Sequence, residues 1–277
     1  MKIENNLLEI KGEQKVWVIG DIHGCFDQFI EIINSAEIAE DDIVVLIGDI
    51  IDRGPDSVKM LNWVMEHVNN DGRYLMIRGN HEQNIIDNLY ALIQQRERKN
   101  RYREYAGEDP IDYKELPIYD LGCEYDFCEY MDRAGIKNIG QAEKYIRWME
   151  ELPLYIRVKL SDGKKYLLAH AWFKGEHNED GTVRQVISDD NILWYRDIDF
   201  YHNLIEEDYN PMEEGEILVH GHTPVPIVRG HYGDPATPIF RKNSINIDGG
   251  CFLDKGYGGR LIALCLNDLV VLHADRN

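Results

Sequence analysis

The sequence predicts an α/β protein, and three observations carry that expectation. Three short apolar runs early in the chain each lead into glycine: 16–19 before Gly20, 43–47 before Gly48, and 74–77 before Arg78 and Gly79. Apolar residues at helical spacing follow each run. The second half, by contrast, alternates brief apolar runs with turn residues and reads as mostly β. With 277 residues and 44% hydrophobic content the chain can bury a sizeable core, and residues 1–277 are expected to form one domain.

Residues 43–47, Ile-Val-Val-Leu-Ile, are too few for a buried helix and rich in β-branched side chains, the pattern of a parallel strand covered on both faces. After 16–19, Phe26, Phe29, Ile30 and Ile33 give a helix over about 26–36 one apolar face, completing a βαβ unit. Pro55 pre-sets the turn after Arg53. Asp56 or Ser57 then caps a second helix, with Val58, Leu61, Met65 and Val68 as its core face. Ile85, Ile86, Leu89 and Ile93 mark a third helix, whose positive N-terminal end lies near His81.

From about 101 to 132 the periodicity gives way to ten Asp/Glu, three Lys/Arg and six Tyr. This stretch reads as an insertion, either a satellite core of tyrosines or a lid over the substrate entry. Residues 141–151 return to helix, with Tyr145, Trp148, Met149 and Leu152 inward. The runs 154–159 and 165–169 flank Ser161-Asp162-Gly163 as a hairpin, and 217–219, 245–247, 261–266 and 269–272 supply further strands, the last two joined at Asn267-Asp268. Two sheets packed face to face and flanked by helices is the expected layering.

The chemistry gathers at the strand ends. Gly20-Asp21-Ile22-His23-Gly24, Gly48-Asp49-Ile50-Ile51-Asp52-Arg53-Gly54 and Gly79-Asn80-His81-Glu82 each place carboxylate, imidazole or amide just past an apolar strand, where ligands collect in open α/β sheets. One acidic loop alone would read as a solvated turn. Three such strand ends exceed what packing requires.

These blocks resemble the three signatures of the phosphoprotein phosphatase family, within the calcineurin-like metallophosphoesterases. Leu168-Ala169-His170-Ala171, Leu193-Trp194-Tyr195-Arg196 and Gly221-His222-Thr223-Pro224 extend the resemblance, the last two in the form of bacterial and phage members. It implies two mixed β-sheets packed as a sandwich between helices and two divalent metal ions, manganese first, with iron or zinc as alternatives. By the same resemblance Asp21, His23 and Asp49 hold one ion and Asp49, Asn80, His170 and His222 the other, so that Asp49 bridges. His81 is the implied general acid, Asp52 its carboxylate partner, and Arg53 and Arg196 the phosphate clamps. Paired cations, typically ~3.5 to 4 Å apart, supply a hydroxide nucleophile for in-line attack. His81, beside metals and a helix N-terminus, then needs a carboxylate to keep its proton. Arg78 either points into the site or pairs structurally. His220 reads as a packing or orienting histidine, and Asp248 as a turn residue close by.

The implied substrates are phosphorylated proteins or small phosphoesters, with phosphoserine and phosphothreonine proteins first. Symmetrical hydrolysis of dinucleoside polyphosphates is the alternative, and a non-catalytic phosphate-binding scaffold the reading from another class. In the insertion two cues conflict: its acidic residues favour phosphopeptides over the more highly charged dinucleotide, while its tyrosines offer faces for adenine to stack on, and charge weighs slightly more. A net charge of -20 argues against nucleic-acid or anionic-membrane partners. The five cysteines fit free thiols in a reducing compartment. Without a secretory or membrane-spanning apolar segment, the expectation is a soluble cytoplasmic protein.

Overall fold

In the computed structural model, residues 6–69, 72–112, 114, 132, 136–172, 176–177, 183–184, 189–196, 198–199, 203–204 and 215–276 are described. A five-stranded sheet runs in the order Val271–Asp275, Arg260–Cys265, Val16–Ile19, Ile43–Leu46, Tyr74–Met76. A six-stranded sheet runs Leu7–Glu9, Tyr155–Lys159, Lys165–Ala169, Glu216–His220, Ser244–Asn246, Ile239–Phe240.

Alternation along each strand explains why the runs are apolar throughout. Val16, Val18, Ile43, Val45 and Ile47 turn toward the other sheet and pack with Ile156, Val158, Leu168, Val219 and Ile245. Trp17, Ile19, Val44 and Leu46 turn the opposite way. There they meet the helices Phe26–Ile33, Ser57–His67, Asn80–Tyr105 and Ile139–Glu150. The helix Asp189–Trp194 covers the outer face of the six-stranded sheet through Ile192 and Leu193, against Leu167, Ala169 and Leu218. The result is helix, sheet, sheet, helix, in which the inner strands Val16–Ile19, Ile43–Leu46 and Ser244–Asn246 are buried on both faces, while the edge strands Leu7–Glu9 and Val271–Asp275 are partly exposed. Each such Val, Leu or Ile contributes about 1.5 to 3 kcal/mol of burial.

Three differences from expectation have local causes. Helix Ser57–His67 buries Ser57, Met60, Leu61 and Val64, whereas Val58 is 39% exposed. Its rotation is set at its first residue: the Ser57 hydroxyl accepts the Asp52 N–H at 2.9 Å and thereby pins the helix to the Asp52 loop. Helix Ile139–Glu150 likewise buries Ile139, Ala142, Ile146 and Met149, leaving Tyr145 and Trp148 only partly covered. The edge strand Leu7–Glu9, in parallel register with Tyr155–Lys159, is too short for its periodicity to mark it.

The hairpin of Tyr155–Lys159 with Lys165–Ala169 forms as expected, with Gly163 at φ 90° in its turn. Helix Asn80–Tyr105 continues through the first residues of the 101–132 segment, where Tyr102 and Tyr105 are exposed. Residues 113 and 115–131 of that segment, including Cys123 and Cys128, lie outside the described residues. Cys25, Cys251 and Cys265 are free and buried. No helix among the described residues is long and apolar enough to cross a membrane.

Candidate metal centre

Parallel register brings six strand ends together. In one sheet Ile19 pairs with Leu46 and Leu46 with Met76, so the loops carrying Asp21, Asp49 and Asn80 emerge side by side. In the other, Leu168 pairs with Val219 and Val219 with Ile245, which levels His170, His222 and Asp248. Cross-links join the two groups: His170 Nδ1 lies 3.0 Å from Ile47 O, and the His222 N–H donates to both Asp21 oxygens at 3.1 and 3.3 Å.

Backbone strain concentrates here. His23, Asp49, Asp52, Arg53 and His222 all have positive φ, between 47° and 71°, conformations that cost about 1 to 3 kcal/mol each and persist only where surroundings enforce them. Among the described non-glycine residues the others are Asn6 and Leu269. Close approach adds to this. A Cβ on Gly79 would stand 2.3 Å from Asp49 Oδ1, and one on Gly221 2.0 Å from Asp21 Oδ1. Both glycines are therefore required by the carboxylates that press on them.

Asp49 lies at the centre, 1% exposed. Its Oδ1 accepts the His81 N–H at 2.9 Å, and its Oδ2 stands 3.6 Å from His23 Nε2 and 3.5 Å from His170 Nε2. Two groups able to hold a metal share it: His23, Asp49 and His81, and Asp49, His170 and His222, the ligand atoms of each within 4.8 Å of one another. Asn80 Oδ1 lies 2.8 Å from His170 Nε2 and 2.9 Å from His222 Nδ1. The imidazoles are oriented from behind. His23 Nδ1 faces Ile51 O at 2.9 Å and His170 Nδ1 faces Ile47 O, each leaving Nε2 toward Asp49, as metal-bound histidines are commonly held.

The donor set suits cations. Asp21, Asp49 and Asp248 are all buried; burial, reinforced by the charges of Asp248 and Asp49, pushes Asp21 well above the usual carboxylate range. Burial would raise Asp49 too, but His170, His81 and His23 outweigh it and hold that carboxyl low. His23 is driven down to about 3 by burial and the nearby Arg53, and His222 to about 2 by burial, His170 and Arg196. Neutral imidazoles beside ionisable carboxylates are what divalent ions bind. His222 Nε2 is buried with no hydrogen-bond partner among the described residues.

His81 differs from these. Burial works against its charged form, yet Asp49 and the hydrogen bond to Asp52 raise its pKa above the ordinary value. Nδ1 lies 2.9 Å from Asp52 Oδ2, the carboxylate that the family resemblance implies as its partner. The Arg53 guanidinium spans the opening, Nη1 at 3.0 Å from His23 Nε2 and Nη2 at 3.0 Å from His81 Nε2. Arg196 Nη1 donates to His222 O at 3.4 Å, which places it at the other side. Arg78 is structural: it donates to the carbonyls of Met149, Glu150 and Leu152 at the end of helix Ile139–Glu150, and to Gln83. His220 is fully buried with Nδ1 3.2 Å from Gly221 O, while Asp248 accepts the Gly250 N–H in a turn.

One residue was given no role from the sequence. Glu82 is fully buried and accepts N–H groups from Asp49 at 2.8 Å, Ile50 at 3.0 Å and Gly79 at 2.8 Å. Burial and Asp49 raise it to about 7. Its place three residues after Gly79, where a carboxylate reaches back to the helix start, was the available signal. Because Glu82→Ala orphans three buried donors, thermal unfolding should register a loss of at least about 2 kcal/mol. Metal affinity, read by titration, should fall about 10- to 100-fold.

A two-sheet sandwich with acids, an amide and imidazoles gathered at its strand ends is a metal-binding arrangement, and similarity to known proteins places it among phosphoester hydrolases. The chain belongs to the calcineurin-like phosphoesterase family, whose model matches residues 14–248. It is 26% identical over 259 residues to the asymmetrical bis(5'-nucleosyl)-tetraphosphatase PrpE of Anoxybacillus flavithermus, covering 89% of this chain and 88% of that protein. Serine/threonine-protein phosphatase 1 of Salmonella typhimurium is 40% identical over 81 residues, 29% of this chain and 35% of that one. A solved protein serine/threonine phosphatase of Saccharomyces cerevisiae, similar to human phosphatase PP5, shares the fold with a TM-score of 0.51 at 14% identity, over 98% of this chain and 84% of that chain.

Proposed function

We propose that the chain hydrolyses phosphoesters at a two-cation centre in which Asp21, His23 and Asp49 hold one ion and Asp49, Asn80, His170 and His222 the other. The observation that carries this is Asp49 Oδ2, set between His23 Nε2 and His170 Nε2 at 3.6 and 3.5 Å. Bound ions would lower the pKa of water toward neutrality and draw charge from the phosphoryl oxygens. His81 protonates the leaving oxygen, with Asp52 keeping the ring charged and aimed. Arg53 and Arg196 grip non-bridging oxygens from two sides, where a planar guanidinium matches two acceptors at once. Hydrolysis of an aryl phosphate with added manganese tests the activity; no turnover with manganese, iron or zinc would overturn it.

For the substrate, dinucleoside polyphosphates come first. Similarity to the PrpE tetraphosphatase runs along 89% of the chain, whereas similarity to the Salmonella protein phosphatase spans 29%. Trp194 and Tyr195, 39% and 38% exposed beside Arg196, offer faces on which a base can stack. Phosphoserine and phosphothreonine proteins are the second reading, favoured by the higher identity of that shorter match. The acidic composition of residues 101–132 favours this second reading by charge, although residues 113 and 115–131 lie outside the described residues. Specificity constants for a dinucleoside tetraphosphate, phosphopeptides and phosphotyrosine decide; a phosphopeptide preference reverses the order.

Arg196→Lys should raise the inhibition constant of inorganic phosphate almost as much as Arg196→Ala, because an ammonium keeps the charge and loses the fork. Unchanged phosphate inhibition in Arg196→Ala would move the clamp elsewhere.

A further inference from the structure

The guanidinium of Arg53 has a neighbour that no motif nominated. Its Cζ lies 4.6 Å from the ring centroid of Phe252. The same ring meets His23 edge to face, at 5.1 Å and 87°. Phe252 thus touches both the proposed clamp and a proposed metal ligand.

Its own backbone is anchored. Arg276 Nη1 donates to Phe252 O at 2.6 Å, the Leu253 N–H donates to Gly250 O, and the neighbouring Cys251 is fully buried. Arg53 is an exposed residue on a long flexible stem, and besides the Phe252 ring its guanidinium meets His23 Nε2 and His81 Nε2, each at 3.0 Å. Holding such a side chain over the site costs rotamer entropy unless something else supports it. A half-buried aromatic face supplies that support, since the ring quadrupole attracts the cation and the flat surfaces stack.

We infer that Phe252 is a positioning residue: it holds Arg53 in the orientation that grips the phosphoryl group. This rests on the reading of Arg53 as a phosphate clamp. A Leu at 252 would fill similar space without a π face, and a Tyr would restore that face.

The test uses manganese-loaded protein, with inorganic phosphate binding read by calorimetry and aryl phosphate hydrolysis read as separate kcat and KM. Phe252→Ala and Phe252→Leu should each weaken phosphate binding about threefold to tenfold, and Phe252→Tyr should restore it. The loss should appear chiefly in phosphate affinity and KM. In an Arg53→Ala background, Phe252→Ala should cost nothing further. If Arg53→Ala weakens phosphate but Phe252→Leu binds it normally, or the full Phe252→Ala penalty persists in the Arg53→Ala background, the positioning role is overturned and the clamp stands. If Arg53→Ala leaves phosphate affinity unchanged, the clamp reading falls first and the positioning role with it.

Discussion

Asp49→Ala should leave a folded protein that retains neither cation tightly and hydrolyses phosphoesters more than about 10³-fold more slowly. Every interaction of Asp49 points this way. Its N–H is fixed by Glu82 and its Oδ1 by the His81 N–H, which leaves Oδ2 alone to face His23 and His170. No neighbour can replace that oxygen, since Glu82 is occupied by three backbone donors and Asp21 is turned to the His222 N–H. Asp49→Asn separates charge from shape: it keeps an acceptor for the His81 N–H, so its fold should survive while metal content still drops. Two cations held as tightly in either variant as in the parent protein would remove Asp49 from the centre.

The second large effect belongs to His81. Its Nε2 lies 3.8 Å from Asp49 Oδ2, near enough that it could be either a metal ligand or a proton donor. His81→Asn distinguishes the two. As a donor, its loss should spare metal content and slow hydrolysis by ~10² to 10⁴, most for alkyl phosphates whose leaving groups need the proton and least for activated aryl phosphates. As a ligand, its loss should empty a site and slow both substrates alike. Asp52 adds a pH signature. A proton donor works only while protonated, so the rate falls as pH rises through the His81 pKa, and Asp52 helps hold that pKa above its ordinary value. In Asp52→Asn that decline should move to lower pH.

Much of this site was legible before any coordinates. Glycine followed by Asp, His or Asn after a short apolar strand is a local signal, and parallel register converts three such signals into one place. His170 and His222 were legible only through family resemblance, because nothing in their spacing says that a second sheet brings them to the first. Other features depend on packing that no local pattern encodes. The rotation of helix Ser57–His67 follows from a hydroxyl bonded to the Asp52 N–H, so Val58 faces out although its apolarity argued the reverse. Arg78 sits two residues before Asn80, yet its guanidinium is held by the end of a helix some seventy residues later. Phe252 reaches Arg53 from about 200 residues away along the chain.

Anomalous diffraction from crystals grown with manganese, recorded at its absorption edge, tests the two-cation centre most directly. Two peaks should appear, both against Asp49, one also against Asp21 and His23 and the other against Asn80, His170 and His222. A single peak, or a pair of which only one touches Asp49, would contradict it.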